Sequence, residues 1–157
     1  MEPKIVPQPP LRLVGLQIRT QPMSAEIPAL WPRFVARIAE IAPVVEPRVT
    51  YGAMQAPADA PDALLYLAAV PAAAAAPVPA GMTALDVPAG DHAVFEFAFK
   101  DIASVCPFIF QTWLPTSGLM QAAGPLLERY GADFEPANPM SPMQVRLPVR
   151  VRDASPR

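Results

Sequence analysis

The chain holds one cysteine and one histidine in 157 residues. The single thiol, Cys106, excludes an internal disulfide and suits a reducing compartment. The lone His92 excludes a Cys/His zinc site, and no cluster of Cys, His and Asp offers another metal site. It also leaves Ser117, in the sequence PTSG, without the partners of a Ser–His–acid triad. Charge is sparse: 17% of residues are charged and the net charge is −2. No long run of one sign, zinc-finger spacing, RNA-binding aromatic motif or helix-turn-helix stands out, so direct nucleic-acid binding is not expected. The N-terminal MEPKIVPQPP lacks the apolar core of a signal peptide. The longest apolar stretch, residues 63–81, is mostly alanine and is broken by three prolines, so it does not read as a membrane span. The expected location is cytoplasmic.

Proline is the excess that needs explaining. There are 23 prolines but only 7 glycines, and the two together stay below the roughly 25–30% that marks a low-complexity disordered chain. With 52% hydrophobic residues, the length suits one stand-alone domain over residues 1–157, with a real core and with residues 1–10 and 152–157 as flexible ends.

The pattern along the chain predicts two copies of a strand–helix–strand–strand unit. LRLVGLQIR (11–19) reads as a strand whose alternation slips near Val14-Gly15, which predicts a bulge. Ile27, Leu30, Trp31, Phe34, Val35, Ile38 and Ile41 recur at helical spacing, so one helix is expected over 27–41. Pro28 suits its first turn, Pro32 should bend it and Pro43 stops it. RVTYGAM (48–54) and ALLYLAAV (63–70) are strands, and PAAAAAPVPAG (71–81) reads as a flexible hairpin connection.

In the second half, MTALDV (82–87) is a short extra strand and HAVFEFAF (92–99) a longer one. Asp101 is placed to cap a helix over 102–113 that carries Ile102, Val105, Cys106, Ile109, Phe110 and Trp113 on one side, and Pro115 ends it. LLERYG (126–131) and MQVRLPVRV (143–151) complete the set. In the last strand Val145, Leu147, Val149 and Val151 face one way. Arg146, Pro148, Arg150 and Arg152 face the other, as a solvated face rather than a phosphate-binding stripe, and Pro148 implies an edge position or a missing ladder bond. VTYG (49–52) and ERYG (128–131) echo each other at equivalent places. The expected class is α+β: duplicated βαββ units forming a mainly antiparallel sheet with two helices and a central cleft.

The segments IPALWPRF (27–34), VTYG (49–52), PAGMTALDVPAGDHAVFEF (79–97), IFQTWLPTSG (109–118) and GPLLERYGADFEP (124–136), in this order, resemble the gyrase-inhibitor-like small-molecule-binding family, also known as the AraC-type effector-binding family. The chain departs from it at Cys106, where the family often has an aromatic residue, and in its plain Ala/Pro connection. The resemblance implies a fold similar to that of the SOUL haem-binding proteins. It implies binding of an amphipathic, cationic aromatic small molecule in drug or effector sensing or sequestration; relatives often carry a DNA-binding domain, for which no room is expected in these 157 residues. Two alternatives come with it: a hydrolase of cyclopropane-containing or other cytotoxic small molecules, and a gyrase-inhibitor-type modulator that binds protein. A second copy of the chain is a further candidate partner.

Glu128 is the residue expected to carry the chemistry. It shares a strand face with Leu126 and Tyr130, while Leu127 and Arg129 share the other. Arginine can snorkel its charge to water over an apolar stem and glutamate cannot, so the Glu128 face is the more plausible interior one. The alternative is a surface glutamate paired with Arg129 or Arg146. In the family the Glu of the E-x-Y element is the cation-recognising group. Tyr51 and Tyr130, Trp113, Trp31 and Phe95 are the aromatic candidates for the cleft, each with core packing as the competing role. In the hydrolase alternative Glu128 activates water and Trp113 positions a flat substrate. His92, beside Asp91 at a strand start, reads as a turn-edge histidine. Neither haem nor any other cofactor is expected.

Overall fold

A computed structural model describes residues 1–152; the expectation for 153–157 lies outside the described residues. The strands are β1 (Lys4–Gln8), β2 (Leu11–Thr20), β3 (Thr50–Gln55), β4 (Leu64–Ala72), β5 (Thr83–Val87), β6 (Gly90–Ala98), β7 (Leu119–Gln121), β8 (Leu126–Tyr130) and β9 (Pro142–Val151). Helix α1 (Glu26–Val35) follows β2. Helix α2 (Ile102–Phe108) continues through a π-helical turn (Ile109–Trp113) into α3 (Leu114–Thr116). All pairings are antiparallel, in the order β1-β6-β9-β8-β3-β4-β2-β5, with β7 also on β9.

That order is symmetric about the β8/β3 seam: β6-β9-β8 on one side answers β2-β4-β3 on the other. The two ends of the path also belong together. Gln8 pairs with Gly90 and Leu11 with Val87, so one register runs from β1/β6 into β2/β5 across Pro9-Pro10. The sheet thereby closes into a ring of six ribbons, which limits the exposed strand edge.

Two apolar clusters cover the outer face and one fills the ring. Leu30 and Phe34 of α1 pack on Val14 and Leu16 of β2 and on Tyr66, Ala68 and Val70 of β4. Val105 and Ile109 pack on Phe95, Phe97, Val145 and Leu147. Leu13, Tyr51, Ala53, Leu67, Ala69 and Leu127 form the inner cluster. Each fully buried large side chain contributes about 1.5–3 kcal/mol. Trp31 packs against both outer clusters and so straddles the seam between the helices.

Several expectations are corrected. Residues 4–8 form an edge ribbon on β6 instead of a flexible end. β2 keeps an unbroken register from Arg12↔Ala72 to Thr20↔Leu64, without a bulge. Its alternation slips because both faces are buried, Leu13 inside the ring and Val14 under α1. The first helix stops at Val35 and only a 3₁₀ turn, Ile38–Glu40, follows. The Ala/Pro tract is no hairpin: β4 and β5 lie on opposite sides of β2, and the crossing is fixed by a buried Ala76 and by the Ala73 N–H donating to the Pro43 carbonyl. Asp101 makes no side-chain cap. The π turn carries the second helix past Pro115 to Thr116 and shifts its phase, so Phe110 is exposed while Trp113 is half-buried. Of the two alternatives for Pro148, the edge position is set aside and the missing ladder bond holds: it lies in an interior strand, at the break where pairing of β9 passes from β8 to β7. His92 sits fully inside β6, 1% exposed, rather than at a turn edge.

Gly15 tests the closure. A Cβ there would strike the Ala68 carbonyl, backbone that cannot swing away, and would lie 2.7 Å from the Ala69 Cα. Gly15→Ala should therefore cost about 3 kcal/mol or more in urea denaturation. Gly90→Ala, with nothing within 4 Å of the new methyl, should change the midpoint little.

Candidate functional site

The seam between the two half-sheets brings a carboxylate and two phenols together. Gly52 of β3 pairs with Glu128 of β8 on one side and Ala68 of β4 on the other, so all three share the outer face. Because Gly52 has no side chain, Tyr66 reaches across it. The Tyr66 hydroxyl donates to Glu128 Oε1 at 2.7 Å, and Tyr130, two residues along β8, donates to the same oxygen at 2.9 Å. A Cβ on Gly52 would strike the Tyr66 hydroxyl and lie 2.6 Å from Oε1.

Trp31 completes the enclosure from α1. Its indole Nε1 donates to the Tyr66 hydroxyl at 3.1 Å. A hydroxyl that accepts from the indole has its own proton free for Glu128, so Trp31 fixes the direction of the Tyr66 bond. The indole also stands edge-on to Tyr66 and Tyr130, with ring centroids 6.4 and 5.5 Å away. Phe134 packs on Tyr130, with ring centroids 4.6 Å apart.

The electrostatics follow from this geometry. Glu128 is half-buried, while Tyr66 and Tyr130 are buried. Burial pushes its carboxyl above the ordinary range, and the two phenol bonds oppose that rise. Both phenols are pushed up, first by burial and then by the neighbouring carboxylate. Among the described residues no Arg or Lys forms an ion pair with Glu128. Among the described residues Oε2 has no protein donor, and it is not one of the buried unpartnered atoms, so it remains the open oxygen. Cys106 is half-buried, and its thiol is pushed up to about 11 by burial and then by the charge of Glu128, so it stays protonated near neutrality.

Of the expected site residues, the structure gathers Glu128, Tyr130 and Trp31. Tyr51 points the other way, into the ring, where Arg129 Nε donates to its hydroxyl at 3.3 Å and Arg129 also pairs with Glu46. Phe95 is fully buried core, and Trp113 lies edge-on to it at 5.1 Å. That places the Trp113 contact two strands from β8, about 10 Å away. Trp113 instead borders a shallow pocket with Ile5, Ser117 and Leu119. Ser117 is a turn residue, accepting from the Leu119 N–H and donating to the Leu114 carbonyl.

Tyr66, Gly52 and Phe134 were missed by reading the sequence. Tyr66 carries the only side-chain polar atom in an otherwise apolar strand, and a buried phenol needs a partner; that was the available signal. In VTYG the glycine, not the tyrosine, faces the carboxylate.

Residues 1–151 match the GyrI-like small molecule binding domain family. The transcriptional regulator BrlR of Pseudomonas aeruginosa is 32% identical over 153 residues, which span 95% of this chain but 56% of the regulator. Among solved structures, SAV2435 bound to tetraphenylphosphonium is similar with a TM-score of 0.73 at 17% identity, over 96% of this chain and 94% of that one. The EcmrR C-terminal domain is similar with a TM-score of 0.69 at 9% identity, over 96% and 98%. At these identities the two structures show a shared fold.

A carboxyl whose affinity for its proton is raised by folding makes stability depend on pH. The folded state favours the protonated form, so stability should fall as pH rises from the unfolded carboxyl value of about 4.3 through the raised folded one. Glu128→Gln, whose amide oxygen can accept both phenol bonds, should therefore melt higher than the parent near pH 8. The gap should close near pH 4. Thermal melts of both proteins across that range check it; a parallel pair of curves would contradict it.

Proposed function

Because this chain belongs to the GyrI-like small molecule binding domain family, we propose that it binds amphipathic, cationic aromatic molecules at the Glu128 seam, for effector or drug sensing or for sequestration. The observation that carries this reading is the carboxylate, unpaired among the described residues, whose one oxygen accepts hydrogen bonds from both phenols while the other has no protein donor. Such a charge at the edge of low-dielectric surroundings is costly alone and is offset by a cation. Trp31, Tyr66 and Tyr130 supply aromatic surface around it, which attracts cations and stacks with flat ligands.

A strongly hydrated ammonium keeps much of its water and gains little here. A cation whose charge is spread over aromatic groups loses little on leaving water and matches the rings in area. The site therefore favours large delocalised cations. That SAV2435 has been solved with tetraphenylphosphonium makes the same ion a suitable probe.

Calorimetric titration with tetraphenylphosphonium and with neutral triphenylphosphine oxide tests the reading. Glu128→Gln should weaken the cation on the order of tenfold or more and leave the neutral compound nearly unchanged. Trp31→Leu should weaken both compounds, because it removes shared ring surface. Trp113→Leu should affect either compound less than Trp31→Leu does. Equal loss for the two ligands in Glu128→Gln would remove the carboxylate from the site. Consumption of a bound ligand would favour the hydrolase alternative, with Glu128 as base.

A further inference from the structure

The inner face of the ring carries a second polar cluster that the Glu128 site does not use. Arg146 of β9 pairs with Leu127 on one side and Val94 on the other, and His92 lies two residues from Val94 on the same face of β6. Arg146 and His92 are therefore diagonal neighbours across the β6/β9 pair. His92 is 1% exposed, and its Nδ1 is buried without a hydrogen-bond partner among the described residues. Arg146 is half-buried. It donates from Nε to Gln144 Oε1 and from Nη1 to Gln8 Oε1, both at 2.9 Å, and it forms no ion pair among the described residues.

The surrounding charges do not neutralise it. Glu46, whose charge reaches Arg146, is already paired with Arg129, and Arg129 adds positive charge to the same face. Glu96 accepts from the Gln144 amide at 3.3 Å and does not contact the guanidinium. Two neutral amides thus satisfy part of the Arg146 fork and leave its charge unpaired, while its diagonal neighbour on β6 has an imidazole nitrogen without a partner among the described residues. A buried water would answer the imidazole alone. A small oxyanion would answer both groups, accepting from the guanidinium and from an Nδ1–H of His92.

We propose that Arg146 and His92, with Gln8 and Gln144 holding the guanidinium in place, form a binding site for a small oxyanion such as a carboxylate or phosphate group. It lies on the reverse face of the sheet from Glu128: Glu128 pairs with Val145, the neighbour of Arg146. The two sites therefore take ligands of opposite charge through opposite sides of one pair of strands.

The single histidine makes the test direct, since one imidazole gives one set of ring signals. The full chain is titrated at constant ionic strength and pH 7.5 with inorganic phosphate and, separately, with acetate, while the His92 ring protons are followed by NMR. Saturable shifts are expected with at least one of the two. Phosphate alone would assign a dianion, and both together a carboxylate-sized site. Arg146→Gln should weaken saturation at least about tenfold, whereas Arg150→Gln, on the exposed end of the same strand, should leave it unchanged. Should Arg146→Gln fail to fold, His92→Gln is compared with the parent for stabilisation by phosphate in thermal melts, and the variant should lose it. Shifts that stay linear with both anions, or that saturate equally in a folded Arg146→Gln, would overturn the proposal and leave a water-filled position.

Discussion

Two phenol hydroxyls converge on one oxygen of Glu128, that of Tyr66 across the gap left by Gly52, and the outer face of the seam is organised around that contact. The glycine has to be in the middle strand, because any side chain there would occupy the path from Tyr66 to the carboxylate. The tyrosines have to come from different strands on the two sides of the seam. The indole of Trp31 has to reach over from α1 to hold the Tyr66 hydroxyl in its donating direction. A neutral hydrogen bond contributes about 1 kcal/mol, and one to a charged group contributes about 1.5–3. Two such bonds soften the cost of burying the carboxylate without removing it, and the remaining cost is what a cation can relieve.

The closed ring explains why such a site can sit at the seam. The helices cover the outer face of each half-sheet separately, one over β2 and β4 and the other over β6 and β9. The β3/β8 strip between them is left for Trp31 and the aromatic residues. Inside the ring an independent core keeps the strands in register. Strain or charge at the outer site is therefore carried by a sheet that does not depend on it for closure. The same alternation that turns Glu128 outward turns Arg129 and Arg146 inward, which keeps the arginines of these strands away from the carboxylate.

The duplicated architecture was legible in the sequence because it rests on strong local signals: two helical stripes, alternating strands, and prolines at their ends. The ring was not, because closure depends on which distant strands pair, and no local pattern records that β5 lies beside β2. The fate of residues 4–8 was hidden for the same reason. Glu128 was legible from its company, a carboxylate between Leu126 and Tyr130 on one face. Tyr51 was misjudged because the echo VTYG/ERYG was aligned by its tyrosines, while the strands pair Tyr51 with Arg129 and Gly52 with Glu128. Trp113 and Trp31 could not be ranked from spacing, since each lies on a buried stripe. What separates them is that Trp31 crosses the seam and the π turn carries Trp113 toward Phe95.

The central claim is that Glu128 is an unpaired carboxylate whose missing partner is a cation. Following the Glu128 side-chain carboxyl by carbon-13 NMR across pH, without and with tetraphenylphosphonium, tests it most directly. A carboxyl that titrates above the ordinary range in the free protein, and falls when the cation is present, is the predicted result. An ordinary titration that the cation leaves unmoved would contradict the account.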